Sequence, residues 1–149
     1  MKRFGIPESN VIVHDYPVRR LSCHRQEVLE ELVKLRREVK PEAVFLPSCN
    51  DFHQDHQVIH AEGVRAFKDI TLLGYELPWN QLTFSAQAYV TVQRRHLEVK
   101  WEALKAYKSQ FEHGRSYFSW DFVEGLARVR GAQVKVEYAE AFEVMRVKW

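Results

Sequence analysis

The residues best suited to chemistry in this sequence are three histidines and two aspartates close together near its middle. They are Asp51, His53, Asp55, His56 and His60. Imidazoles and carboxylates gathered at a turn between a strand and a helix suit a divalent metal, with zinc as the default ion. The same residue types also occur in plain surface loops and at capped helix starts, so their position in the fold must decide between a functional and a structural interpretation.

The elements around this cluster predict where it lies. Residues 43–46 are a short apolar run without alternation, typical of a parallel strand buried on both faces. A loop over residues 47–52 follows, and a helix is predicted to start near Asp55. Because ligands in open parallel sheets bind at the carboxyl ends of strands, this placement favours a functional site.

The rest of the chain alternates predicted strands and helices. The β-branched run 10–16 predicts a strand, and apolar residues at three- and four-residue steps predict a helix from Ser22 to about Val39. With the strand at 43–46 these form a right-handed βαβ unit. Further patterns predict strands near 70–76, 88–92 and 142–147, and helices over about 95–109 and from Ser119 to Gly131.

Length and composition exclude several classes of protein. The 149 residues fit one domain, and with 46% hydrophobic residues and a net charge of +2 the chain is neither disordered nor built around a basic nucleic-acid face. No apolar run is long enough to span a membrane, and the start lacks the apolar core of a signal peptide. Cys23 and Cys49 are far apart and are interpreted as free thiols of a cytoplasmic protein, with a single disulfide as the alternative.

Several segments resemble the PIG-L/LmbE-type zinc-dependent N-acetylglucosaminyl deacetylases, in the order in which that family has them. P-E-A-V-F-L-P at 41–47, followed by D-x-H-x-D-H, is similar to the second motif of the family. The similar segments downstream are L-G-Y-E-L-P at 73–78, Y-K-S-Q at 107–110, Arg130-Gly131 and Y-A-E-A-F at 138–142. The similarity therefore extends over nearly the whole chain.

The resemblance implies an α/β fold with a Rossmann-like three-layer α/β/α sheet, and removal of an N-acetyl group from an amino sugar or sugar conjugate. It implies Zn²⁺ with His56 as a ligand. It also implies that His53 faces the scissile amide, where it stabilises the tetrahedral intermediate and protonates the leaving amine, and that Asp55 orients His53. The weaker candidates for substrate binding are Asp51, Glu76 and Glu140.

The sequence departs from the family in one respect. Family members begin with a strand followed by A-H-P-D-D-E, which supplies two further zinc ligands and the general base, whereas the nearest text here is His14-Asp15-Tyr16. Catalytic zinc normally has three protein ligands, and the resemblance provides one. We therefore expect residues 1–149 to be the C-terminal portion of a single PIG-L/LmbE-like domain that lacks its first strands, inactive alone and weak or lacking in zinc binding.

Three explanations of this departure stay open. The chain is a truncated or mis-started product of a complete gene, or it is a degenerate relative that binds a sugar or a protein without turnover. In the third explanation His53 or His60 re-forms a site with His56, since His56 and His60 have the spacing that places two imidazoles on one helix face. Missing strands would also expose an apolar sheet edge, which predicts association into a homo-oligomer.

Overall fold

The computed structural model of the protein describes residues 4–108 and 112–148. The helices in these ranges are α1 (Arg25–Val39), α2 (Gln54–Ala66), α3 (Arg94–Leu104) and α4 (Trp120–Gln133). The strands are β1 (Ala43–Pro47), β2 (Thr71–Tyr75), β3 (Ala88–Thr91) and β4 (Ala139–Arg146). Short 3-10 turns lie at Glu8–Asn10, Leu21–His24 and Pro78–Asn80.

The described strands form one mixed sheet in the order β1-β2-β4-β3. β1 and β2 are parallel, and their last residues, Pro47 and Tyr75, lie opposite each other. β2 and β4 are antiparallel, with a shift of register between Leu72 and Leu73. This sheet with its helices confirms the predicted α/β class.

The helix α2 connects the two parallel strands and packs closely against β1. A Cβ atom at Gly63 would lie 2.6 Å from Cδ2 of Leu46, so glycine at this position permits the close approach. Leu46 belongs to a buried cluster with Ala66, Phe67 and Leu72. The α1 residues packed against this cluster are Leu29, Leu32 and Val33. Apolar burial therefore fixes α1 and α2 beside β1.

A buried carboxylate also ties α1 to α2. Glu62 is fully buried and accepts hydrogen bonds from Arg25 Nε at 2.7 Å and from Arg65 at 2.5 Å. Burial alone would raise the pKa of Glu62, but the hydrogen bonds and charges of Arg25 and Arg65 outweigh it and lower that pKa. The group is thus held as a charged, paired carboxylate.

Contacts divide the chain into two compact units. One consists of the stretch ending at His14 together with Tyr89–Glu140, and its buried residues include Leu97, Ala127 and Tyr138. The other consists of Asp15–Ala88 and the stretch that begins at Ala141. The candidate cluster around His53 lies wholly in this second unit. The single-domain assignment of residues 1–149 stays a prediction.

Residues 10–16 do not form the predicted strand. A 3-10 turn ends at Asn10, the residues that follow up to Tyr16 have no regular structure, and Ile12 and Val13 are 58% and 85% exposed. The predicted βαβ unit from 10–16 through α1 is therefore wrong, and the unit that forms is β1-α2-β2. β-Branched residues favour a strand only where a pleated surface buries them.

Other boundaries also differ from the predictions. α1 begins at Arg25 after the 3-10 turn, so Ser22 is not its cap, although it ends at Val39 as predicted. α4 begins after its predicted cap Ser119, and it continues through Gly131 to Gln133. β1 is not buried on both faces as predicted, since Phe45 is 54% exposed. No helix among the described residues is long and apolar enough to cross a membrane.

Candidate functional site

The candidate site lies in the loop that joins β1 to α2. β1 ends at Pro47 beside the end of β2, so the loop leaves the sheet at the carboxyl ends of the parallel pair, where ligands bind in this class of fold. Within the loop, Ser48 and Asp51 are each only 1% exposed. The backbone turns sharply there, since the Asp51 amide donates to the carbonyl of Ser48 at 3.2 Å. Two polar side chains are thus buried directly before the histidines.

Asp51 contacts both of the first two histidines through its carboxylate. Oδ1 accepts a hydrogen bond from the backbone amide of His53 at 2.8 Å, and Oδ2 lies 2.7 Å from Nδ1 of His56. Because an ionised carboxylate only accepts hydrogen bonds, the neutral His56 ring carries its proton on Nδ1. The lone pair of Nε2 is then free, which is the state in which a histidine binds a metal.

His53 has the opposite arrangement. It is the N-cap of α2, and its Nδ1 accepts a hydrogen bond from the backbone amide of Asp55 at 3.2 Å. Since that nitrogen is an acceptor, the neutral His53 ring carries its proton on Nε2. His53 is therefore set up to donate a hydrogen bond through Nε2.

The two rings lie against each other. The centroids of His53 and His56 are 4.5 Å apart with an interplanar angle of 28°. The His56 side chain is 30% exposed, so it is accessible from solvent while its Nδ1 is held by a buried partner. The arrangement thus pairs an imidazole suited to donate with an imidazole suited to bind a cation.

Asp55 contacts His53 differently from what the resemblance implies. Its carboxylate accepts hydrogen bonds from the backbone amides of Arg19 at 2.7 Å and Leu21 at 3.2 Å, so it holds the segment before α1. The contact with His53 is made by the Asp55 amide instead. A functional role of the Asp55 side chain stays a prediction.

His60 lies one turn further along α2. Its Nδ1 lies 2.8 Å from the carbonyl oxygen of Pro47, which fixes the imidazole beside the end of β1. The carbonyl accepts, so this bond also places the proton on Nδ1. A metal site re-formed by His56 and His60 stays a prediction.

A buried carboxylate that the sequence analysis missed supports the loop from the opposite side. Glu143 on β4 is 4% exposed and accepts hydrogen bonds from the Cys49 amide at 3.1 Å and from Asn50 Nδ2 at 3.3 Å. The signal in the sequence was the alternation of β4, in which Ala139, Ala141 and Glu143 share the buried face. A charged residue on that face requires a partner, and here the partner is the loop.

Glu143 also affects the thiol of Cys49. Its Oε1 lies 3.9 Å from Sγ. Cys49 is an exposed residue, but partial desolvation of its thiol, together with the charge and hydrogen bond of Glu143, raises the pKa of Cys49. Cys23 and Cys49 are both free cysteines, as predicted. Cys49 is thus a poorly activated thiol despite its position next to the candidate site.

The other two substrate candidates lie apart from this loop in the chain. Glu76 follows the end of β2 directly and is half-buried. Glu140 lies on β4 in the other compact unit, where its carboxylate is 2.6 Å from Nζ of Lys100. A role of either residue in substrate binding stays a prediction.

The loop supplies one side chain with the geometry of a metal ligand. Across residues 4–108 and 112–148, His, Cys, Asp and Glu side chains form no group of three or more that could hold a metal ion. His56 nevertheless has the geometry of a ligand, because its Nδ1 is engaged by a buried carboxylate and its Nε2 is not.

No family model matches the chain. An uncharacterized deacetylase of Escherichia coli strain K12, YaiS, is 33% identical over 84 residues, which are 54% of this chain and 45% of that protein. The chain thus spans about half the length of this relative.

Solved structures share the fold at low sequence identity. The zinc-inhibited form of teicoplanin deacetylase Orf2 has a TM-score of 0.67 at 18% identity over 92% of this chain and 57% of that one. N,N'-diacetylchitobiose deacetylase from Pyrococcus horikoshii has a TM-score of 0.60 at 20% identity over 80% and 51%. GalB, a 4-carboxy-2-hydroxymuconate hydratase from Pseudomonas putida KT2440, has a TM-score of 0.63 at 18% identity over 83% and 60%.

The match in sequence to a deacetylase and the fold shared with two further deacetylases agree with the motifs around His53 and His56. The chain is thus similar to deacetylases in part of its sequence and in its fold.

Proposed function

We propose that the protein serves in metal-dependent removal of an N-acetyl group from an amino sugar or sugar conjugate. His56 is the residue that binds the metal, and His53 is the catalytic residue that faces the amide. The observation that carries the proposal is the opposite use of Nδ1 in two stacked rings, which accepts from a backbone amide in His53 and lies 2.7 Å from a carboxylate oxygen in His56. Metal-assisted hydrolysis of an amide uses both a ligand that holds the metal ion and a hydrogen-bond donor at the same carbonyl.

His56 supplies the first of these groups. Nε2 is the nitrogen left free by the contact between Nδ1 and Asp51, and the partly exposed ring can be reached from solvent. Zinc, the ion proposed here, polarises a carbonyl and lowers the pKa of a bound water to about 7. Because the A-H-P-D-D-E motif is not part of these 149 residues, they supply one matched ligand, and we expect them to bind zinc weakly.

His53 supplies the second group. Its Nδ1 is fixed by the first turn of α2, so Nε2 can donate to the oxygen that becomes negatively charged during attack on the amide. A positioned donor of this kind contributes about 10²–10⁴-fold to a rate. The stacking against His56 keeps the donor next to the nitrogen proposed to bind the metal.

The experiment measures acetate release from N-acetylglucosamine conjugates. The 149-residue chain is compared with a version extended at its N terminus by a family segment that carries A-H-P-D-D-E. We expect no measurable release from the short chain and activity from the extended one. His56→Ala in the extended protein should remove activity together with bound zinc.

His53→Asn is the matched variant for the donor. Asparagine is a favourable N-cap, so α2 keeps its capping hydrogen bond while the imidazole is lost. We expect zinc to stay bound and turnover to fall by about 10²–10⁴-fold. The exposed Asp69→Asn serves as the control and should retain full activity. Acetate release from the short chain that persists in His56→Ala would overturn the proposal.

A further inference from the structure

The side chain of Asp51 contacts both histidine positions. It is 1% exposed, and its two oxygens are used separately, Oδ1 for the amide of His53 and Oδ2 for the ring of His56. A buried carboxylate is costly unless each oxygen has a donor. Its two donors here are the backbone of one proposed functional residue and the side chain of the other.

The loop holds Asp51 from two directions. Asp51 forms an isolated antiparallel bridge with Gln81, and the Phe52 amide donates to the carbonyl of Asn80 at 3.0 Å. On the other side, the Asp51 amide donates to Ser48. The carboxylate is therefore fixed by backbone contacts before and after it, so it can orient the His56 ring instead of following it.

We infer that Asp51 is the positioning residue of this site and that its carboxylate selects the tautomer of His56 in which Nε2 is free to bind a metal. The inference rests on the proposed function for the identity of the ligand. The tautomer itself is a property of the chain without metal. The same carboxylate also acts on Tyr75 at the end of β2. Burial, together with the charge of Asp51, raises the pKa of the Tyr75 phenol.

A purely structural brace predicts a different behaviour. If Asp51 only closes the loop, any isosteric side chain that accepts a hydrogen bond from the His53 amide should keep the loop in place. The tautomer of His56 should then be the same before and after the replacement. Asp51→Asn separates the two roles. The side-chain carbonyl of the new asparagine must face the His53 amide, because an NH₂ group in that place would put two donors against each other. The NH₂ group of the asparagine therefore faces Nδ1 of His56. Nδ1 must then accept, and the proton moves to Nε2.

The test is NMR of the metal-free 149-residue chain labelled with ¹⁵N at histidine, at about pH 8, where imidazoles are mostly neutral. Long-range proton–nitrogen correlations report which ring nitrogen carries the proton. We expect His56 in the unsubstituted chain to be protonated on Nδ1, and in Asp51→Asn on Nε2. His53 should stay protonated on Nε2 in both proteins. The control Asp69→Asn, whose carboxylate pairs with Arg36 at the surface, should leave both rings unchanged.

Two results would overturn the inference. One is a His56 ring protonated on Nε2 in the unsubstituted chain, which needs no variant and stands even if Asp51→Asn fails to fold. The other is an unchanged tautomer in a folded Asp51→Asn. Zinc titration of the same samples should show affinity about 10–100-fold lower in Asp51→Asn. A protein extended by the A-H-P-D-D-E segment that shows the expected tautomers but binds no zinc would instead contradict the proposed function, so the two failures are distinguishable.

Discussion

His53 and His56 stack with their ring centroids 4.5 Å apart, yet the contacts at Nδ1 favour protons on different nitrogens of the two rings. The difference arises from their partners, a backbone amide for His53 and a buried carboxylate for His56. The carboxylate belongs to Asp51 in the loop before α2, and the backbone amide belongs to Asp55 in the first turn of α2. The roles that we propose for the two rings would therefore be set by the local fold before any ligand arrives, which is the preorganisation that catalytic sites require.

The buried carboxylate of Glu62 should make stability depend on pH. Its pKa is lowered in the folded state, so its contribution is fully present above the unfolded pKa of about 4.3 and is lost as the pH falls through the folded value. Arg25→Ala removes one of its two partners and should lower the free energy of unfolding by about 1–3 kcal/mol at pH 7. The difference from the unsubstituted chain should shrink as the pH falls from about 5 towards 3.

Urea unfolding over that pH range measures the Glu62 effect. Arg37→Ala, an exposed arginine on the same helix, is the control and should change stability by less than about 0.5 kcal/mol. Equal losses in Arg25→Ala and Arg37→Ala would mean that the pairing with Glu62 contributes nothing.

Two glycines should respond to alanine with opposite signs. A Cβ atom at Gly74 would lie 3.0 Å from Oε2 of Glu143 and 2.9 Å from the terminal methyl of Met145, so it would push Glu143 away from the loop. Gly74→Ala should lower the free energy of unfolding by about 1 kcal/mol. Gly125 lies inside α4, and a Cβ atom added there would have no atom within 4 Å. Gly125→Ala should therefore raise the free energy of unfolding by about 0.5–1 kcal/mol. Thermal unfolding of both variants measures these changes. A stabilised Gly74→Ala would contradict the expectation that a Cβ atom at this position displaces Glu143.

The thiol of Cys49 should report on Glu143. Burial and the charge of Glu143 both raise its pKa, so Glu143→Gln removes the second cause and leaves the first. Alkylation by iodoacetamide at about pH 7.5 should then be faster at Cys49, by less than about 10-fold because only part of the pKa shift is removed. Mass spectrometry of the two cysteine peptides measures the rates, with Cys23 in the same protein as the reference. An unchanged ratio of the two rates would show that Glu143 does not act on the thiol.

The sequence predicted the position of the candidate loop in the fold better than its contacts. The apolar run before the loop and the helix start after it place the loop at the end of a parallel strand, because burial and helix starts leave local patterns. The partner of each histidine is not a local pattern. Asp51 and Asp55 flank His53 symmetrically, and spacing alone does not tell which one uses a side chain and which one a backbone amide.

Long-range contacts account for the remaining differences. Glu143 is 94 residues from the amide of Cys49 that it accepts from, and nothing near either residue signals the pair. The run at 10–16 has strand-forming residues, but Val13 is 85% exposed, since no strand of the described sheet pairs with this run. Propensity is local, whereas a strand is defined by its neighbours.

The most direct test of the central claim is a zinc titration of the ¹⁵N-histidine-labelled chain, followed at each imidazole nitrogen. The account predicts weak binding in which Nε2 of His56 shifts, while Nε2 of His53 keeps its proton. His56→Ala should remove the response, and His53→Asn should retain it. Zinc bound through His53, or an undiminished response in His56→Ala, would contradict the division of roles between the two stacked rings.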